Sequence, residues 1–269
     1  MKITQIRNAT LLIEFKAPRA DGRDIGLLVD PMLARAGALP SLRYLGGERR
    51  RNPLVELPAA TPELLRKVTH ALITHCQRGH FDHLDRAGLR FLRESRVPVF
   101  CMPRDAVWLG ARGLEIHELA ASREDRRAQS FLHGHITPIP CVHGRGLVGR
   151  LMEHGHGYLI ALPGEPSVYI AGDTLLTDDV LACLSTLRPD VAVLPAGGAR
   201  FDLGAEILMD GDDVLAACGM TRGRVVANHL EALDHCPTSR ARLRDDAARA
   251  GLTDRLLVPE DGETLVFAA

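Results

Sequence analysis

Long apolar runs are missing from this sequence, and with them any segment able to span a bilayer. No charged-then-apolar leader opens it, so no secretion signal is read. A cytoplasmic protein without a membrane partner is the expectation. Excess charge of either sign is missing too: 33 Lys and Arg stand against 34 Asp and Glu, a formal net charge of −1. Such a chain has no field to gather nucleic acid, and none is expected as a partner. Cysteine is sparse. The six, at positions 76, 101, 141, 183, 218 and 236, are scattered without a CxxC pair. This favours reduced thiols over a disulfide framework. Cys76, Cys141 and Cys236 fall near segments of interest below, where small buried apolar residues are preferred over metal ligands.

What is present in abundance is histidine in one short stretch. Ile73-Thr74-His75-Cys76-Gln77-Arg78-Gly79-His80-Phe81-Asp82-His83 holds three histidines and an aspartate. The apolar Ala71-Leu72-Ile73 before it reads as a buried strand, so the histidines stand on a loop at a strand end. Neutral imidazole and carboxylate are the donor set that suits zinc and similar divalent ions. Clustered in a buried place, such groups are costly without a cation to balance them. A His-rich polar surface loop is the plainer alternative.

Three more segments end an apolar strand on one potential ligand. Ile136 to Gly144 presents His143, Val168 to Thr174 presents Asp173, and Arg224 to His229 ends on His229. Each alone is weak, because a lone histidine after a strand is usually a satisfied polar residue. Together, in this order, they form a shell gathered from several rigid elements.

These residues resemble the metallo-β-lactamase superfamily, whose first motif is His-x-His-x-Asp-His. His80-Phe81-Asp82-His83 matches its second half, and His143, Asp173 (in Ala-Gly-Asp-Thr) and His229 match the later ligand positions. The likeness runs from Leu27-Leu28-Val29-Asp30-Pro31 to the last strand. Asn228 to Cys236 and Arg51-Asn52-Pro53-Leu54 are most similar to the ascorbate-6-phosphate lactonase group. The resemblance implies an α+β fold, a four-layer αββα sandwich, and two divalent ions, zinc first, with manganese or iron as alternatives. It also implies that His75, His80 and His143 hold one ion and Asp82, His83 and His229 the other, with Asp173 bridging. Two such ions hold a hydroxide at neutral pH for attack on a carbonyl carbon or phosphorus. Asp82 would orient that nucleophile, and His235 is read as either a proton donor or a structural neighbour.

One departure matters. Where the family has its first histidine, this chain has Arg78, whose guanidinium offers no lone pair. Either the loop bulges and His75 still reaches the metal, or the first site has lost a ligand. The bulge is preferred, since His75 follows the strand directly and Gly79 permits a sharp turn.

At 269 residues the chain is within range for one sheet sandwich, and a single domain over 1–269, without linker or repeat, is expected. Lys2 to Phe15 alternates weakly and an Asp21-Gly22 turn leads to an apolar Gly26 to Val29. Residues 32 to 60 form a long loop, and loops of that length are usually functional. Helices are predicted at 61–67, 85–94, 105–111, 178–187, 212–218 and 238–249, with strands at 97–101, 191–194, 256–258 and 264–267. Strands dominate 134–170. His154-Gly155-His156 is read as a hairpin turn. His133 and His135 either line the site or stand exposed, and His70 and His117 carry no context. Arg49-Arg50-Arg51 is a solvated face or an anion contact.

The combined expectation is a metal-dependent hydrolase of a small anionic ester, lactone or phosphoester. A nucleic-acid phosphodiesterase or nuclease and a mononuclear relative with an impaired first site are the alternatives. The substrate-binding residues and the substrate itself are not legible, and a homo-oligomer is open.

Overall fold

The structure is a computed structural model, and it describes residues 1–16, 24–43, 49–76, 80–120, 127–152, 155–202 and 204–268. The Asp21-Gly22 turn, Arg78, Gly79 and His154 therefore lie outside the described residues.

In chain order the first half contains β1 (Lys2–Arg7), β2 (Thr10–Phe15), β3 (Ile25–Val29), α1 (Thr61–Leu65), β4 (His70–Leu72), α2 (Arg86–Ser95), β5 (Val99–Cys101), α3 (Pro103–Gly110) and β6 (Ile116–Glu118). The second half contains β7 (Gln129–Phe131), β8 (Gly134–Pro140), α4 (Gly146–Leu151), β9 (His156–Ala161), β10 (Val168–Ile170), α5 (Asp178–Ala182), β11 (Val191–Pro195), α6 (Gly211–Met220), β12 (Arg224–Asn228), α7 (Arg240–Arg249), β13 (Leu256–Leu257) and β14 (Thr264–Val266). A π-helical turn, Cys183–Leu187, extends α5.

The strands form two mixed sheets, ordered β14-β1-β2-β3-β4-β5-β6 and β13-β12-β11-β10-β9-β8-β7. Side chains alternate across them with period two. In β11, Val191 and Val193 enter the core between the sheets, while Ala192 and Leu194 pack outward against Val180, Val214 and Leu243 of α5, α6 and α7. In β2, Leu11 and Ile13 face inward and Leu12 faces Leu92 and Leu109 of α2 and α3. Both faces of these strands are buried, so their sequences read as unbroken apolar runs. The result is the expected αββα layering.

Two segments differ in detail from the sequence reading. The alternating Lys2 to Phe15 divides at Asn8, at φ 54°, into the β1–β2 hairpin, and β2 pairs antiparallel with β3. Asparagine tolerates that left-handed conformation better than most residues. The hairpin turn expected at His154-Gly155-His156 falls partly outside the described residues. β8 and β9 do pair antiparallel, but the chain between them makes an excursion that includes α4, and His156 opens β9 as a buried residue. The glycines that bracket α4 read locally as loop, which hid the helix. Among the described residues no helix is long and apolar enough to cross a membrane.

Candidate metal centre

Strand ends place four residues of the centre, and a loop before α2 places the rest. After β4 come Thr74 and His75; after β8, His143; after β10, Asp173; after β12, His229. The His80–His83 segment leads into α2, whose first turn is capped by the Asp85 carboxylate accepting from the Gly88 N–H. Gly172, at φ 64°, makes the turn before Asp173 and itself packs against Thr74. His229 itself is left-handed, at φ 57°. A non-glycine residue held there is uncommon and clusters at functional sites.

The ligand atoms of His75, His80 and His143 lie within 4.8 Å of one another, as do those of Asp82, His83, Asp173 and His229. Asp173 stands between the groups: its Oδ2 is 3.2 Å from His83 Nε2, 3.4 Å from His229 Nε2 and 3.7 Å from His143 Nε2. Asp82 Oδ2 lies 3.5 Å from His229 Nε2. His75 enters the cluster despite its spacing in sequence, with its ring centroid 4.9 Å from that of His80 and 3.9 Å from that of His83. Gly155 makes room for it: a Cβ there would come within 2.8 Å of the His75 Cβ.

The far nitrogens are tied back. His83 Nδ1 donates to Asp30 Oδ2 at 2.9 Å, and His143 Nδ1 donates to the Ile207 carbonyl at 2.7 Å. Asp30 is held in turn by the Thr74 backbone N–H and hydroxyl at 2.8 and 2.6 Å. These bonds fix tautomers and leave Nε2 aimed at the centre, as in metal sites generally.

Charge within the centre is unbalanced. Burial pushes the pKa of His75 well down, and that of His143 down as well, so both stand as neutral donors. At His83 and His229 burial is the largest influence and opposes the charged form, but Asp173 together with Asp30 and Asp82 at His83, and with Cys236 and Asp82 at His229, outweighs it and raises both. Asp173 and Asp82 are held low against their own burial by the charges of His229 and His83. The histidine protons thus stand where a cation would balance two buried carboxylates. Moreover, Nε2 of His75, His83 and His229, both nitrogens of His80 and Oδ1 of Asp173 are buried without a hydrogen-bond partner. An orphaned buried polar atom costs about 1–3 kcal/mol. So many in one place fit a bound divalent metal, and the N/O donor set suits zinc.

A cavity of about 420 Å³ opens on this centre. His80, Asp82, His143, Asp173 and His235 form its polar end; Leu42, Phe81, Leu151, Met152, Phe201 and Ile207 make the rest mostly apolar. Among the described residues no Lys or Arg lines it. His235 is buried, stacks on Phe201 at 6.1 Å between ring centroids, and has its pKa pushed down to about 4 by burial.

The other singled-out residues go elsewhere. His133 and His135 are exposed, as is His117; His70 pairs with the Thr69 hydroxyl at 2.9 Å. Arg51 binds the carbonyls of Gly37 and Ala38, bracing the long loop. Cys141 donates to the Ala171 carbonyl, and Cys236 lies 3.5 Å from His229 Nδ1; burial raises both thiols, and neither joins the ligand groups. Sequence reading missed Asp30 and Thr74 as positioning residues. The available signal was a polar residue closing the apolar Leu27-Leu28-Val29, the same form as the ligand segments. It also missed Asp234, whose carboxylate gathers the Ser41 hydroxyl, the Leu42 N–H and the Asn52 amide and so ties the long loop beside His235.

The beta-lactamase superfamily domain profile matches residues 27–230. The chain belongs to the metallo-β-lactamase superfamily. An isothiocyanate hydrolase from Delia radicum gut bacteria has a solved structure with 32% sequence identity and a TM-score of 0.85, each chain covering 100% of the other. The UPF0173 protein YddR of Bacillus subtilis (strain 168) is 29% identical over 269 residues, 99% of this chain and 100% of its own length. A UPF0173 metal-dependent hydrolase of Azorhizobium caulinodans is 27% identical over 213 residues, 77% of each chain. With these relatives and this centre, the protein is a metal-dependent hydrolase of the superfamily.

Proposed function

We propose that the protein hydrolyses a small neutral substrate, an apolar body carrying an electrophilic carbon, at a centre of two divalent metals, zinc first. The observation that carries this reading is the set of orphaned, buried Nε2 and carboxylate atoms at the floor of a mostly apolar cavity. His75, His80 and His143 would hold one ion, Asp82, His83 and His229 the other, with Asp173 shared. When bound, such a pair supplies a nucleophile by lowering the pKa of water and polarises the electrophile.

The chain's own residues do the rest. Asp82 faces the cavity as well as the cluster and orients the attacking oxygen through its carboxylate. His235, neutral above pH 4 or so, offers one N–H to the departing heteroatom from the cavity wall. Leu42, Leu151 and Phe201 bury the apolar body and keep bulk water from the reacting carbon.

The cavity's lining bears on which of the substrates expected from sequence to test first. A carboxylate or phosphate needs a cation or a set of donors to replace its hydration. Away from the metals the described lining has no Lys or Arg, so an anionic group on the body of the substrate, remote from the reacting carbon, would find no counter-charge there, and a neutral ester, lactone or similar electrophile is favoured. The likeness to an isothiocyanate hydrolase supports the neutral heteroallene R–N=C=S as the first substrate to test. Addition of one water across its carbon, followed by cleavage of the C–N bond, gives the amine and carbonyl sulfide. Incubating purified, zinc-loaded protein with phenethyl isothiocyanate, a neutral lactone and a phosphomonoester tests the proposal. Release of amine or ring-opened acid, lost on chelation and restored by zinc, is the expected result. Turnover of the phosphomonoester alone would reject it.

A further inference from the structure

Two cavities meet at one wall. The first is the cavity over the metal centre. The second, about 560 Å³, lies against α2 and α3 and is lined by Leu84, Leu89 and Trp108 among others. Pro40 and Phe81 line both.

The wall is held from two sides. Phe81 stands between His80 and Asp82, so its backbone is placed by two of the proposed ligands. Its ring packs on the small apolar cluster of Met32, Ala232 and Leu233. Pro40 belongs to the long loop. Its carbonyl accepts from Asn52 Nδ2 at 2.9 Å, and the next residue, Ser41, donates to Asp234.

Beyond the wall the surface is ready for an apolar chain. Two of its three charged residues are engaged: Asp85 accepts from the N–H groups of Ala34 and Gly88, and the Arg112 guanidinium lies 3.6 Å over the Trp108 ring, while Arg86 is exposed. Leu84, Leu89 and Trp108 supply apolar contact.

We propose that Phe81, buttressed by Pro40, is the length-limiting wall of the substrate cavity, ending the apolar body of the substrate short of the second cavity. This rests on the functional reading above and adds the residue that sets substrate length. A small side chain at position 81 joins the two cavities and admits longer neutral chains.

The test is calorimetric titration of zinc-loaded protein with straight-chain hydroxamates from acetyl to decanoyl, which read the cavity without turnover. In the wild type, affinity rises about fourfold per methylene, the equivalent of about 0.8 kcal/mol, until the tail meets the wall, and then falls. Phe81→Ala moves that break to longer chains. Pro40→Ala moves it in the same direction by less, and Leu89→Trp in the Phe81→Ala background cancels the gain. An unmoved break in Phe81→Ala at wild-type zinc content overturns the wall. If Phe81→Ala loses zinc, Pro40→Ala decides: a moved break supports the wall and an unmoved one overturns it. A wild-type protein that binds no zinc defeats the functional reading and the wall together, whereas an unmoved break with zinc present defeats the wall alone.

Discussion

The imidazole of His83 donates from Nδ1 to Asp30 at 2.9 Å, deep in the interior, and so turns its Nε2 toward Asp173 and Asp82. Asp30 touches none of the cavity, yet it sets the tautomer and direction of a ring at the heart of the centre. It does so from a left-handed backbone at φ 45°. That conformation aims its two oxygens at Thr74 and His83 together.

Replacing Asp30 by Asn keeps the shape and removes the charge that pairs with the ring. Zinc affinity of the second group should fall 10–100-fold, the usual cost of losing such an outer partner. Competitive titration with a chelating dye measures it. Unchanged affinity would show that Thr74 alone suffices to orient the ring.

His75 is the proposed ligand whose spacing departs from the family pattern. His75→Ala should lose one zinc equivalent while the Asp82, His83, Asp173 and His229 group keeps the other. Gly155→Ala should weaken the same equivalent, because its Cβ would press on Thr74 O at 2.7 Å and on the His75 Cβ. Metal analysis after dialysis reads both variants. Loss of both equivalents, or of neither, in His75→Ala would contradict its assignment to one ion.

The pH dependence of the metal-free protein carries the mark of His235. Its folded pKa is about 4, below the unfolded value near 6.5. Between these values the unfolded chain binds more protons, so stability rises with pH across the window and is lost as pH falls through it. The effect is at most on the order of 3 kcal/mol. His83 and His229, raised by their carboxylates, act in the opposite sense, so the informative quantity is a difference. His235→Gln should be less sensitive than wild type to acidification from pH 6.5 to 4 in urea titrations. Parallel pH profiles for the two proteins would show that His235 is not buried as a neutral ring.

The sequence made some of this legible and hid the rest for physical reasons. Strands such as Val191–Pro195, buried on both faces, announce themselves as apolar runs. Residues such as Asp173 and His229 stand out because a polar side chain directly after such a run needs a partner. Helix starts were readable from their caps, as at Asp85. By contrast, the pairing of Asn52 with Asp234 joins positions far apart in sequence, and no local pattern encodes it. The apolar lining of the cavity is assembled the same way, from Leu42, Leu151, Phe201 and Ile207 on separate segments. That lining, with no Lys or Arg among the described residues, could only be seen once they were brought together.

The central claim is a shared two-ion centre with Asp173 between the groups. Isothermal titration of chelator-stripped protein with zinc tests it most directly, beside Asp173→Ala. Two zinc equivalents per chain are expected in the wild type, with weakened binding at both in the variant and loss of hydrolysis. A single equivalent in the wild type, or two equivalents of unchanged affinity in Asp173→Ala, would contradict it.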